Sequence, residues 1–220
     1  MRMKKLALEF VVSKLKAGVE RPVFELALRQ SQRALENLEG MQGRTVLYVP
    51  ETEQWIDLVE WAGLAEAQRA AEQFATLGDA MALMEMLDMS TVEMKHFDEV
   101  PGGVVELLHD AESGACVELV MYKLKPEADL GTFVSAGRQL EEAMRLSPAF
   151  VSRSVFRSLD EGLWLEIMQY RDKAGAEQLY GDLQQSSAMA ECHRMIDESS
   201  VRMFMAEPMG RLLDGAKAGR

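Results

Sequence analysis

Residues 117–126 read VELVMYKLKP, and residues 8–17 read LEFVVSKLKA. Set 109 positions apart, the two stretches share Glu9 with Glu118, Val11 with Val120 and Lys14-Leu15-Lys16 with Lys123-Leu124-Lys125. The match continues without a gap when residues 6–98 are laid on 115–207. Twenty positions are then identical, among them Phe24/Phe133, Arg44/Arg153, Trp55/Trp164 and Asp88/Asp197. Chance gives about six over such a window, at roughly 6% per position. Self-similarity at a fixed offset marks a repeated structural unit. The chain therefore reads as an internal duplication: a first repeat over 1–98, a linker over 99–113, a second repeat over 114–208 and a tail over 209–220.

Each repeat spells out the same elements. A β-branched and aromatic run at 5–14 and 114–123 predicts a strand. Pro22 suits a first helical turn, and Phe24, Ala27, Leu28, Leu35 and Leu38 follow at helical spacing. In the second repeat Asp129 is placed to cap the matching helix. Two strands then form a hairpin over 44–61, turning at PETE (50–53), with LDEG (159–162) as the better turn sequence of the second repeat. A helical region at 64–87 and 173–196 breaks near Gly78 and Ser186, and a strand at 91–97 and 200–205 closes the unit. The order β-α-β-β-α-β is the ferredoxin-like motif. The Gly102-Gly103 pair and the apolar segment Val104–Leu108 fall on the linker.

Composition narrows the function. The 220 residues carry a net charge of −12 and are 48% hydrophobic, as in a soluble globular protein. Nucleic acids and anionic membranes call for clustered cations, so neither is an expected partner. Two cysteines, Cys116 and Cys192, make neither a disulfide framework nor a zinc site. The basic start and short apolar run imitate a signal peptide, but Glu9 interrupts the run, so a strand is expected there. No stretch approaches the roughly 20 apolar residues of a membrane span, and a cytoplasmic location follows as the default.

The strand alternation sorts the third strand into two sets. Ile56 and Leu58, with Leu165 and Ile167, suit the helices. Trp55, Asp57, Val59 and Trp61, with Trp164, Glu166, Met168 and Tyr170, are too aromatic for water yet carry an acid in each repeat, and they are expected to face a partner surface. The other half of the chain is the obvious partner. The expected fold is thus α+β: two tandem ferredoxin-like units whose sheets pack face to face around a mixed interior.

In these features the chain resembles the dimeric α+β barrel superfamily, which includes antibiotic-biosynthesis-monooxygenase-like and NIPSNAP-like domains. ELVMYKLKP followed by Phe133 is similar to the first strand and helix entry of NIPSNAP-like proteins. SSAMAECH (186–193) is similar to a helix of the heme-degrading members, where the last histidine binds heme iron. That pattern also has a tryptophan about three turns earlier and an asparagine on the first strand. Leu183 and Val120 stand in those places, so heme at His193 is not expected and the chain is read as needing no cofactor or metal. The resemblance implies a monooxygenase-like protein that binds or transforms a small aromatic or polyketide-like molecule inside the barrel. It also leaves room for a homo-oligomer.

The candidate site residues fall into two groups. Glu9 with Asp57, and Glu118 with Glu166, sit on neighbouring strands. Close carboxylates can divide acid and base roles. Alternatively they are satisfied by Arg44, Arg153, Arg157 or Arg202 in a polar network. Trp55, Trp61, Trp164, Tyr122 and Tyr170 either line a pocket for a planar ligand or fill a core, and methionines such as Met121, Met168, Met203 and Met205 are adaptable lining or filler. In the catalytic reading Glu118, Glu166 and Arg153 are the acid–base and anion-stabilising groups. The second repeat is the expected host, because Tyr122 stands for Ser13 and Tyr170 for Trp61. His96 and His109, without clustered partners, are expected to be solvated. A cavity of at least about 300 Å³ with a carboxylate in its wall marks a site; a packed interior marks a non-catalytic binding or assembly protein.

Overall fold

The structure, a computed structural model, describes residues 6–100, 115–158 and 161–211. The N-terminal basic residues, most of the expected linker with His109, and the tail beyond Arg211 lie outside the described residues. Two compact units make up the chain. One reaches to Glu99, the other spans Val100–Pro208, and Met209 groups with the first.

The first unit runs β1 (Ala7–Ser13), α1 (Arg21–Glu36), β2 (Met41–Val49), β3 (Gln54–Trp61), α2 (Leu64–Phe74), α3 (Gly78–Met86) and β4 (Glu93–Glu99). Its strands are antiparallel in the order β4-β1-β3-β2. The second unit repeats this as β5 (Cys116–Leu124), α4 (Leu130–Met144), β6 (Phe150–Arg157), β7 (Leu163–Tyr170), α5 (Lys173–Leu183), α6 (Ser187–Met195) and β8 (Ile196–Arg211), in the order β8-β5-β7-β6. Both are ferredoxin-like units of an α+β fold. The closing strand of the second unit is longer than the expected 200–205, beginning directly at the end of α6 and running on to Arg211.

Local chemistry explains the element ends. Pro22 occupies the first turn of α1. Asp129 caps α4 through the Thr132 amide at 2.8 Å, and Asp172 caps α5 through the Gly175 amide at 2.7 Å. The last residue of each hairpin turn lies in the same backbone region. Gly162 adopts φ 64°, and Glu53, its counterpart, is held at φ 54° in the left-handed region that disfavours side chains.

The same tertiary hydrogen bonds recur at the 109-residue offset. Lys16 N donates to Met86 O at 2.9 Å, as Lys125 N does to Met195 O at 2.8 Å. Lys14 N donates to Thr91 Oγ1 at 2.9 Å, as Lys123 N does to Ser200 Oγ at 2.8 Å. Ala62 N donates to Gly40 O at 2.7 Å, as Arg171 N does to Ala149 O at 2.9 Å. This last bond draws the start of β2 or β6 against the following helix, and each unit makes room in its own way. A Cβ on Gly40 would lie 2.5 Å from Glu66 Cγ, whereas a Cβ on Gly175 would lie 2.5 Å from Ala149 Cβ. One partner of each contact is glycine, on opposite sides of the pair.

The sheet faces are reversed from the sequence expectation. Trp55 packs with Phe24, Ala27 and Leu28 of α1, and Val59 and Trp61 pack with Leu35, Ala67 and Ala70. Trp164 and Tyr122 pack on Phe133, Cys192 and Met195, and Met168 and Tyr170 on Leu179 and Leu183. The mixed acid–aromatic set therefore faces the helices of its own unit. The apolar set, including Leu8, Phe10, Ile56 and Leu58, is buried on the opposite face. Alternation separates two sets but does not say which face each takes. The acids are acceptable under the helices because an arginine in each unit bridges them to the helix backbone.

Candidate functional site

That bridge is the same in both units. Arg44 rises from β2, fully buried, and its Nε donates to the two Asp57 carboxylate oxygens at 2.9 and 3.0 Å. Its Nη1 donates to Leu28 O and Ser31 Oγ of α1 at 3.2 and 3.0 Å. Arg153 on β6 repeats this, donating to Glu166 at 2.8 Å and to Gly137 O of α4 at 3.1 Å, with Glu141 at 3.4 Å. Asp57 and Glu166 are thus satisfied ion pairs, as the polar-network reading has it.

The other two acids differ between the units. Glu118 accepts from the Tyr170 hydroxyl at 3.1 Å. Burial pushes its carboxyl above the ordinary range; the Tyr170 hydrogen bond opposes this and the Glu166 charge adds to it. Glu166 also accepts a short hydrogen bond from the Tyr122 hydroxyl. Burial pushes Glu166 up as well, but the charge and hydrogen bond of Arg153, aided by Tyr122, hold it below the ordinary range. Tyr122 is raised well above its ordinary value, by burial first and then by Glu166. The phenol of Tyr122 therefore stays protonated as a donor to an ionised Glu166. In the first unit Glu9 meets the ring of His96 at 3.1 Å. His96 was expected to be solvated. It lies directly opposite Glu9 in the β1–β4 register, so the pair follows from strand pairing rather than from any motif.

The units differ most in what lies between sheet and helices. The first encloses a cavity of about 250 Å³, walled by Trp61, Phe74, Leu83 and Met84, with Glu9 and Asp57 in its floor and Met89 and Met94 at its edge. Met89 is 58% and Met94 47% exposed, so these thioethers border solvent. In the second unit the corresponding space is filled. Val59, Ala70 and Ala80 of the first unit correspond to Met168, Leu179 and Met189, which pack together in one cluster. A recess with an aromatic wall lies elsewhere in this unit, about 210 Å³ between α4 and β6, where Gly137 stands for Leu28. Trp164 and Arg153 line that cleft. Trp61, Glu9 and Asp57 thus come together at one cavity. Trp55 is buried against Phe24 and Tyr48 at ring distances of 4.8 and 4.9 Å, and Tyr122 and Tyr170 are occupied by hydrogen bonds to acids. The expected preference for the second repeat does not match where the enclosed space lies.

The sequence matches no known protein family and no curated protein. Solved structures do match. A proposed monooxygenase from Fusobacterium nucleatum aligns over 96% of this chain and 95% of its own, at TM-score 0.71 and 10% identity. A chlorite dismutase variant from Candidatus Nitrospira defluvii aligns over 92% and 91%, at TM-score 0.62 and 12% identity. A heme-binding protein from Thermus thermophilus aligns over 97% and 92%, at TM-score 0.62 and 13% identity. The chain has the fold of the dimeric α+β barrel superfamily.

These matches overturn the expectation of a protein without a cofactor, because the fold is shared over nearly the whole chain with a heme-binding protein. Heme at His193 is a separate matter of fit. His193 is exposed on the last turn of α6, and the residues that α6 turns inward are Ala188, Met189, Cys192 and Met195. Its counterpart in the first unit is Met84, in the cavity wall. The His193 ring is therefore not turned toward the sheet, and the two apolar spaces, about 210 and 250 Å³, fall below the expected roughly 300 Å³ at which ligand pockets of drug size begin, so a ligand of either is a smaller molecule of one or two rings. Among the described residues no group of three or more His, Cys, Asp or Glu side chains could hold a bare metal ion, and no helix is long and apolar enough to cross a membrane.

Proposed function

We propose that the protein binds, and in the enzymatic reading transforms, a small aromatic molecule in the cavity of its first unit. The observation that carries this is the contrast between the units: one keeps an apolar cavity over two carboxylates, while the other fills the equivalent space with Met168, Leu179 and Met189. A fold that needed only a core would have no reason to leave that space empty, since cavities cost stability. The monooxygenase-like fold supports the reading. Within it, Glu9 with His96 is the pair suited to accept a proton from a bound ligand, because a carboxylate orients the ring. Asp57, locked by Arg44, is suited to hold the ligand in place. The second unit reads as the structural partner. The recurrence of the same hydrogen bonds at one offset supports an origin of the two units by duplication.

The test uses the three tryptophans as reporters. Single-ring and fused-ring aromatics are titrated by calorimetry and by tryptophan fluorescence against the wild type, Trp61→Phe and Trp164→Phe. Saturable binding whose fluorescence response disappears only in Trp61→Phe is expected. A response that survives Trp61→Phe and is lost in Trp164→Phe moves the site to the α4–β6 cleft. The absence of any saturable binding refutes the proposal.

A further inference from the structure

We infer that the ligand of the first-unit cavity is an apolar aromatic amine, bound as its protonated cation. This rests on the reading of that cavity as a ligand site. The argument begins with charge. Glu9, Asp57 and Arg44 are the charged groups at the floor, with the His96 ring behind Glu9. Arg44 neutralises Asp57. Glu9 has no arginine or lysine partner among the described residues and meets only the His96 ring, so its carboxylate is the acid at the base of the apolar cavity that no guanidinium or ammonium group matches. Its side chain keeps only 10% of its exposure, so little water offsets that charge.

Hydrogen bonding points the same way. The donors of Arg44 are directed to Asp57, Leu28 O and Ser31 Oγ. Carboxylate oxygens accept more bonds than the floor supplies. The ligand must therefore bring donors to the floor, while the buried Trp61 Nε1 in the wall, which has no hydrogen-bond partner, is met by an acceptor or by the face of a ring; an anionic group beside Glu9 is repelled. A neutral hydroxyl would make one bond and leave the Glu9 charge uncompensated; an ammonium group makes charge-assisted bonds and cancels it. The walls suit the rest of such a molecule. Trp61 and Phe74 present aromatic rings, which attract cations, and Met84, Met89 and Met94 offer soft, adaptable thioethers. The net charge of −12 draws cations toward the protein. In the second unit the counterpart acid Glu118 already has a donor, the Tyr170 hydroxyl.

The experiment compares three probes on one ring system: 1-naphthylmethylamine, 1-naphthylmethanol and 1-naphthoate, titrated calorimetrically at neutral pH. The amine is expected to bind the wild type at least about tenfold more tightly than the alcohol, and the naphthoate not at all. Glu9→Gln should bring the amine down to the level of the alcohol, with thermal melts confirming the fold. An alcohol that matches or exceeds the amine on the wild type overturns the amine inference and leaves the cavity reading intact. This comparison needs no variant, so a misfolded Glu9→Gln would not blunt it. A naphthoate that binds best also overturns it. If none of the three binds, the cavity reading itself fails.

Discussion

Leucine at position 70 should stabilise the protein and close its ligand site in one step. Ala70 lies on α2, 3% exposed, at the cavity wall, and Leu179 fills the equivalent place in the second unit. Ala70→Leu adds three carbons. At about 0.8 kcal/mol per buried methylene the gross gain is about 2.4 kcal/mol. Ordering the leucine side chain costs roughly 0.5–1 kcal/mol, which leaves about 1.5–2 kcal/mol of added stability. Leucine is also a good helix former. The reverse change, Leu179→Ala, empties a packed position and should cost about 2–5 kcal/mol. Urea melts of both variants, compared at unchanged slope, give the two signs, and titration with an aromatic amine gives the binding. Ala70→Leu should lose binding while gaining stability. A destabilisation of about 1 kcal/mol or more would mean that the space is not available to a side chain. A stabilised variant that still binds as the wild type would show that the ligand sits elsewhere.

Three further outcomes follow from the polar groups and the turns. Arg153→Ala strands Glu166 beneath α4, where its side chain keeps 12% exposure, and should cost about 3–5 kcal/mol, measured by denaturant titration. Glu118 has a folded-state value raised above its ordinary one, so the folded form holds the proton more tightly and stability falls as pH rises from the ordinary glutamate range through the folded value. Glu118→Gln should therefore melt higher than the wild type at neutral pH, with the difference shrinking as pH is lowered through that window. Glu53→Gly relieves the left-handed strain at the β2–β3 turn and should raise stability by about 0.5–1 kcal/mol, net of the added chain entropy.

Much of the fold was legible because the chain states it twice. The weak turn at PETE is clarified by LDEG, and the break of the second helical region near Gly78 by that near Ser186. Facing was harder. Trp55-Asp57-Val59-Trp61 alternates cleanly, but its direction depends on whether Arg44 can reach from β2 to the carbonyl of Leu28, a contact 16 residues distant in sequence that no local pattern encodes. Glu9 and His96 were visible singly, and only the β1–β4 register brings them together. The cavity is lined by Val59 and Ala70, on two separate elements, where the second unit has the larger Met168 and Leu179. Each substitution is unremarkable by itself, and the signal emerges only from comparing the repeats position by position. The interest in Arg153 and Trp164 leads to a cleft, but one opened by Gly137, which the periodicity of α4 treats as an ordinary helical residue.

The glycine pairs at the β2–α2 and β6–α5 contacts have a bearing on how this gene can change. Gly40 faces Glu66, and Ala149 faces Gly175. A crossover that joined the first half's α2 to the second half's β6 would set Ala149 against Glu66, with atoms in the same space. The opposite crossover would set Gly40 against Gly175 and leave a gap. Gly40 also sits at φ 88°, so an alanine there is strained whatever faces it. A single-site mutational scan would therefore score Gly40 and Gly175 as intolerant, Gly40 for its backbone as well as for Glu66, although the equivalent position in the other half accepts a side chain.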